Sequence, residues 1–247
     1  MTDTDQPRSI GSLPDVGNHS SLLPAALTRL VWVVWLGTLA VAVGFVRIDP
    51  AWGVDGLVAV DGLTVVMWAV VAFFSGIVHS YARRYLAGNP DKNGFFTRIF
   101  AFTLAVMVVV AADHIALFVG AWLAMGLLMA ALIGHVKGWP QAQAAGRTAR
   151  RYFVGSTALV ALSLTLLWSA TGATSVTGIL DAVGGVSTTT TVVAAGGLVV
   201  AAMIQSGLIP FHTWILSSMT APTPASALMH AGFVNAGGVL LARFAPV

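Results

Sequence analysis

Apolar residues run in blocks along this chain rather than in stripes. Segments 27–46, 63–81, 99–112, 115–136, 153–170, 192–209 and 225–242 are nearly free of charge, and polar stretches separate them. A bilayer core takes about 20 apolar residues of helix to cross. Backbone in lipid must satisfy its own hydrogen bonds, and the runs lack the alternation of barrel strands. The pattern predicts an all-α fold, a polytopic transmembrane helix bundle of about seven spans. Only Asp113 and His114 part the third run from the fourth, which predicts a tight hairpin with those two residues at its tip or just inside it.

The sixth run is interrupted at Gly207 and Pro210, and Pro222 and Pro224 follow in the next segment. Proline removes a backbone donor and glycine resists bending little, so a broken helix near Pro210 is expected, with the carbonyls of Gln205 and Ser206 left without helical partners. Irregular backbone at membrane depth survives where protein or a water-filled cavity covers it, as at transport sites. A loop followed by a proline-initiated helix is the plainer alternative. Residues 1–26 are polar and rich in Pro and Gly, without the basic-then-apolar order of a signal peptide. They read as a disordered cytoplasmic tail ahead of a transmembrane domain over 27–247.

Composition agrees with the blocks: 57% of residues are hydrophobic and 9% charged, against about 25% charged in soluble domains. Lys and Arg number 12 against 9 Asp and Glu, and the excess sits in loops, which sets topology and leaves no footprint for nucleic acid. Loop 82–98 carries Arg83, Arg84, Lys92 and Arg98 against Asp91, and loop 137–151 carries Lys137, Arg147, Arg150 and Arg151 with no acid. Both should be cytoplasmic by the positive-inside rule, which places the N-terminus inside and loops 47–62 and 171–191 outside. With no cysteine, thiolate metal sites, disulfides and thiol catalysis are excluded. Phosphate loops, dinucleotide fingerprints and His-Glu metal motifs are missing too, so neither a catalytic site nor a cofactor is expected in this chain.

Candidate chemistry lies in the polar residues of the apolar runs. An ionisable group near the bilayer centre costs roughly 2.5–3.5 kcal/mol on insertion scales, so it is read first as functional. His79, His114, His135, His212 and His230 qualify, and imidazole suits proton relay. His79 and His135 also fit a place at the cytoplasmic interface, and Asp113 and His114 could simply solvate a turn. Gln205, Asn235 and Arg243 have an ordinary use in helix packing.

Two stretches resemble a known superfamily. Val60-Asp61-Gly62-Leu63-Thr64, followed by Val78-His79-Ser80-Tyr81-Ala82-Arg83-Arg84, is similar to the start of the conserved core of the antiporter-like subunits of complex I and of multisubunit cation/proton antiporters. Ile209-Pro210-Phe211-His212-Thr213-Trp214, leading into Thr220-Ala221-Pro222-Thr223-Pro224-Ala225-Ser226-Ala227-Leu228-Met229-His230-Ala231, resembles their broken helix and the helix after it. The continuation through Arg243 looks most like the DabB branch, the membrane subunits of inorganic carbon pumps.

The resemblance implies a proton- or sodium-conducting subunit of the bacterial inner membrane. It also implies a large, zinc-containing, carbonic-anhydrase-like partner of DabA type, and His79, Asp113, His212 and His230 at relay positions. With His114 these form the candidate relay, beside a polar pocket of Gln205, Ser206, Gly207, Pro210 and Asn235. Leu123 and Gln205 stand where complex I subunits place a glutamate and a lysine, which favours a divergent branch. Family members continue into a second, inverted repeat, so a fragment or a split gene product is expected, the second repeat then coming from another polypeptide. A respiratory or antiporter subunit, and a non-conducting scaffold for a soluble enzyme, are the alternatives.

Overall fold

A computed structural model describes residues 22–48 and 52–247. Seven helices among the described residues are long and apolar enough to cross a bilayer. The first five are α1 (Leu22–Ile48), α2 (Gly62–Tyr85), α3 (Lys92–Ala111), α4 (Ile115–Ile133) and α5 (Pro140–Thr171). After the short α6 (Val176–Ala182) comes α7 (Thr188–Gln205), and then the break with α8 (Thr213–Ser217). The seventh span is composite: α9 (Thr223–Leu228), a π-helical turn over Met229–Phe233, and α10 (Ala236–Arg243).

Three helices start at least five residues before the apolar runs. Of the expected tail, residues 1–21 lie outside the described residues. Leu22 onward is helical, with Pro24 in the first turn, where a missing N–H breaks no helical bond. The third helix begins at Lys92 and the fifth at Pro140. Amphipathic packing carries the helix through the basic stretch of α5. Ala142, Ala145, Gly146 and Ala149 are buried against α4 while Arg147, Arg150 and Arg151 stay outside. A β-carbon at Gly146 would come within 3.0 Å of the Gly134 backbone, so glycine is what lets the two helices touch.

Segments expected as plain loops are built. Trp52–Val54 (β1) and Val58–Val60 (β2) form a hairpin in the register Trp52↔Val60, Gly53↔Ala59, Val54↔Val58. The carbonyl of Leu57 accepts from the N–H groups of Asp113 (3.0 Å) and His114 (3.2 Å). On the other side, Val176 N–H reaches the Asp113 carbonyl at 2.6 Å and Ile115 N–H the Thr174 carbonyl at 3.0 Å. The α3–α4 hairpin tip is thus laced by backbone to both neighbouring loops.

The packed interior lies among α2, α3, α4, α5, α7 and the composite span, with Phe95, Phe102, Phe118, Trp122, Phe153 and Phe233 fully enclosed. α1 is peripheral. Only 11% of its most apolar stretch is buried, against 44% for α2, and it docks through Trp32, whose ring lies where a β-carbon at Gly76 would be 2.9 Å away.

Candidate functional site

The break after α7 is a helix stop followed by an anchored return. Gly207 has φ +64, and the N–H groups of Gly207 and Leu208 donate to the carbonyls of Ile204 (3.2 Å) and Met203 (3.0 Å). That is the Schellman pairing, in which glycine takes the left-handed position without strain. Pro210 then sits exposed beyond the stop. Trp214 on α8 turns back inward, fully buried, and its indole N–H donates to the Ile204 carbonyl at 2.8 Å. Its ring stands edge-on to Phe153 (4.8 Å) and Phe233 (5.8 Å), which themselves meet at 4.5 Å.

The composite span holds a second break that the apolar pattern did not announce. Val234 N–H reaches back five residues to the Met229 carbonyl at 2.9 Å. A π turn disturbs the regular ladder, and such turns recur at functional sites. Side chains engage the carbonyls around it. Ser206 donates to Val234 O at 3.0 Å, and the Asn235 amide lies 3.4 Å from the carbonyls of His230 and Ala231. Gly237 allows this approach, because a β-carbon there would sit 2.7 Å from the Ala202 carbonyl.

Side-chain atoms near the break lack partners. Gln205 is 1% exposed and neither its amide nitrogen nor its oxygen has a partner, and Nδ1 of His212 is likewise buried and unpaired. On α2, His79 is fully buried, within two turns of the helix's C-terminal end. Its Nδ1 lies 2.8 Å from the Ser75 carbonyl and 3.2 Å from the Ser75 hydroxyl, which meets Thr103 of α3 at 2.6 Å. Its Nε2 has no partner. Buried polar atoms without partners cost about 1–3 kcal/mol each, so all three positions call for water or another polar partner.

The other candidates sit apart. Asp113 is buried, and its two carboxylate oxygens accept from the Thr177 N–H (2.9 Å) and hydroxyl (3.0 Å), holding α6. His114 caps α4 by accepting from Ala116 N–H at 3.2 Å. His230 is exposed on the π turn. Among the described residues, no two of the five relay candidates share a hydrogen bond. His135, in the turn after α4, accepts at Nδ1 from the Arg98 guanidinium at 3.0 Å, beside a Lys137–Asp91 ion pair at 3.0 Å. Burial, and then the Arg98 charge, hold its imidazole below the usual range, while Asp91 pulls the other way.

Sequence reasoning missed Ser75 and Thr103 as partners of His79. A hydroxyl one helical turn before a buried histidine was the available signal. It also missed the buried hydrogen bond of Trp122, which the sequence reads as an interfacial anchor near a span end. The indole donates to Ser156 at 3.3 Å, and Ser156 donates to the Ala201 carbonyl at 3.1 Å, joining α4, α5 and α7 beside Leu123. Arg243 forms an ion pair with Asp61 at 2.8 Å, 182 residues apart along the chain.

A bundle of seven spans, the last of them interrupted and with unpaired polar groups inside, defines a polytopic helical membrane protein. The family described as NADH:quinone oxidoreductase/Mrp antiporter, TM, matches residues 111–247, and the complex I chain 5 N-terminal family matches residues 53–96. The chain belongs to the NADH:quinone oxidoreductase/Mrp antiporter transmembrane family.

Among its relatives is the protein named "Probable inorganic carbon transporter subunit DabB1" of Halothiobacillus neapolitanus, 34% identical over 94% of this chain and 43% of that protein. NADH-quinone oxidoreductase subunit L of Mycobacterium tuberculosis is 29% identical over 80% of this chain and 32% of that protein. The chain thus spans less than half the length of either. A subunit of the Mrp complex from Dietzia sp. DQ12-45-1b superposes with a TM-score of 0.76 and 25% identity, covering 90% of this chain and 25% of that one.

Proposed function

We propose that the chain is the first repeat of a proton-conducting membrane subunit of an inorganic carbon uptake complex, with hydration of CO2 carried out by a zinc-containing, carbonic-anhydrase-like partner. The similarity to DabB1 over 94% of the chain supports the carbon-uptake branch. The observation that carries the conducting role is His79, fully buried with Nε2 unpaired and Nδ1 joined to a Ser75–Thr103 hydroxyl pair. An imidazole with one nitrogen free and a chain of hydroxyls on the other can receive a proton at one edge and pass one from the other. His212 and Gln205 supply unpaired polar atoms at the break, where water would continue the path. Asp113, His114 and His230 mark its ends, and Asp113 keeps a capping duty as well.

His79→Gln retains an amide that can reach the Ser75 carbonyl but cannot titrate. Made in the assembled complex, it should lower coupled bicarbonate accumulation about a hundredfold, the scale of a lost proton-transfer group. His212→Ala should do the same. Wild-type accumulation by both variants, with the subunit inserted in normal amount, would exclude this path and favour a scaffold role.

The basic ends of α2–α3 and α4–α5 support a cytoplasmic N-terminus. Gly138 and Gly184 have open space where a side chain would stand, so a cysteine at either leaves the packing intact. In intact cells an impermeant thiol reagent should label Gly184→Cys and leave Gly138→Cys untouched; the reverse pattern inverts the topology.

A further inference from the structure

A groove opens between the C-terminal end of α4 and the first turns of α5, enclosing about 380 Å³. Leu127 and Ala131 line its α4 wall, Gln143, Arg147 and Arg150 its α5 wall, and Gly134 lies at the end of α4. Its depth follows from two close contacts. A β-carbon at Gly146 would meet Gly134, and one at Gly126 would meet Phe153 at 2.8 Å. Arg147 and Arg150 therefore lie beside the last two turns of α4, at the boundary between its apolar surface and the polar turn that follows.

Both arginines are exposed, and so is Arg151, which shares an adjoining hollow of about 500 Å³ with them. The ion pairs among the described residues join Lys137 to Asp91 and Arg243 to Asp61, so the described residues give these guanidinium groups no counter-charge. The C-terminal end of α4 would oppose an anion here. Gln143 removes much of that opposition, because its amide donates to the carbonyls of Gly134 (2.6 Å) and Val136 (3.2 Å).

We propose that this groove seats an anionic phospholipid, with its phosphodiester held by Arg147 and Arg150 and one acyl chain lying along Leu127 and Ala131. Guanidinium groups match phosphate oxygens in paired hydrogen bonds, and basic pockets between helices at a membrane face take such headgroups. Inorganic phosphate would use the two arginines and leave the apolar wall bare. An acidic protein segment would leave that wall facing lipid in the same way. A phospholipid satisfies both halves, and its chains are already at this depth in the bilayer.

The test uses the full chain purified in detergent, with bound lipid counted by native mass spectrometry. Phosphatidylglycerol is titrated in, with phosphatidylcholine and inorganic phosphate in parallel. One molecule of phosphatidylglycerol should be retained, with phosphatidylcholine bound far more weakly and phosphate failing to displace it at equal concentration. Arg147→Gln with Arg150→Gln should weaken binding about 30-fold, at roughly one surface-lipid contact per arginine. Arg147→Lys with Arg150→Lys should recover part of the loss, which separates charge from misfolding. Ala131→Trp fills the apolar wall without touching the charges and should also weaken binding, whereas Arg83→Gln with Arg84→Gln should not. Equal retention of phosphatidylcholine, displacement by inorganic phosphate, or unchanged binding in the Arg147/Arg150 glutamine pair or in Ala131→Trp would overturn the proposal.

Discussion

Trp214→Ala destabilises the bundle more than any exposed aromatic truncation, by about 3–5 kcal/mol, the range for emptying a large aromatic site. The indole is fully buried, meets Phe153 and Phe233 edge-on, and anchors α8 to the end of α7 through the Ile204 carbonyl. Neighbouring helices cannot collapse into the space easily, because Phe153 is itself held where Gly126 crosses it. Association between helices in lipid rests on packing rather than on exclusion of water, so a void is felt directly. Trp214→Phe keeps most of the ring contact and loses the hydrogen bond. Ile204 O still accepts from Gly207 N–H, so this change costs only about 1 kcal/mol. Thermal unfolding in micelles checks the order, with Trp168→Ala, at 44% exposure, as the mild comparison. If Trp214→Ala melts no lower than Trp168→Ala, the aromatic clamp does not hold the broken segment.

Asp61→Ala should be at least as damaging and clearly worse than Arg243→Met, although both break the same ion pair. The asymmetry lies in burial: the Arg243 side chain is 7% exposed and the Asp61 side chain 53%. Removing the carboxylate strands a guanidinium inside the protein, on the scale of about 3–5 kcal/mol. It also removes the N-cap of α2, where Asp61 accepts from the Thr64 N–H and hydroxyl, both at 2.8 Å, worth about 1 kcal/mol more. Removing the arginine leaves an aspartate that water and Thr64 still serve. Asp61→Asn restores the cap but not the charge and should fall between the two. Equal melting temperatures for Asp61→Ala and Arg243→Met would mean that the buried guanidinium finds another partner, and the pair would no longer explain how the ends of α2 and α10 are joined.

The seven spans and the break near Pro210 were legible in the sequence. Span length is a count of apolar residues, and a Gly–Pro interruption stops a helix whatever surrounds it. The family was legible for a related reason: the segment from Ile209 to Ala231 carries its prolines and histidines in a local order that the sequence displays directly. Helix starts were not legible at Lys92 and Pro140. There the chain gains helix by packing a face of small residues, Ala142 to Ala149, and hydropathy averages that face together with the arginines opposite it.

Composition and periodicity alone determined that this chain lives in a bilayer as helices, because those facts follow from what lipid does to any exposed backbone. Which polar residues lie inside the protein was decided by tertiary structure. Sequence ranked His79 as an interfacial histidine or a relay, and only the packing of α2 on α3 buries it beside Thr103. It offered Asp113 and His114 as relay residues or as solvation of a turn, and only the folded chain shows that each also accepts from an N–H group at a helix start. It gave no sign of the π turn at Met229–Phe233, and no local pattern pairs Asp61 with Arg243. These outcomes depend on which residues, distant along the chain, meet as the helices pack, and a one-dimensional pattern records how polar each residue is but not what stands opposite it.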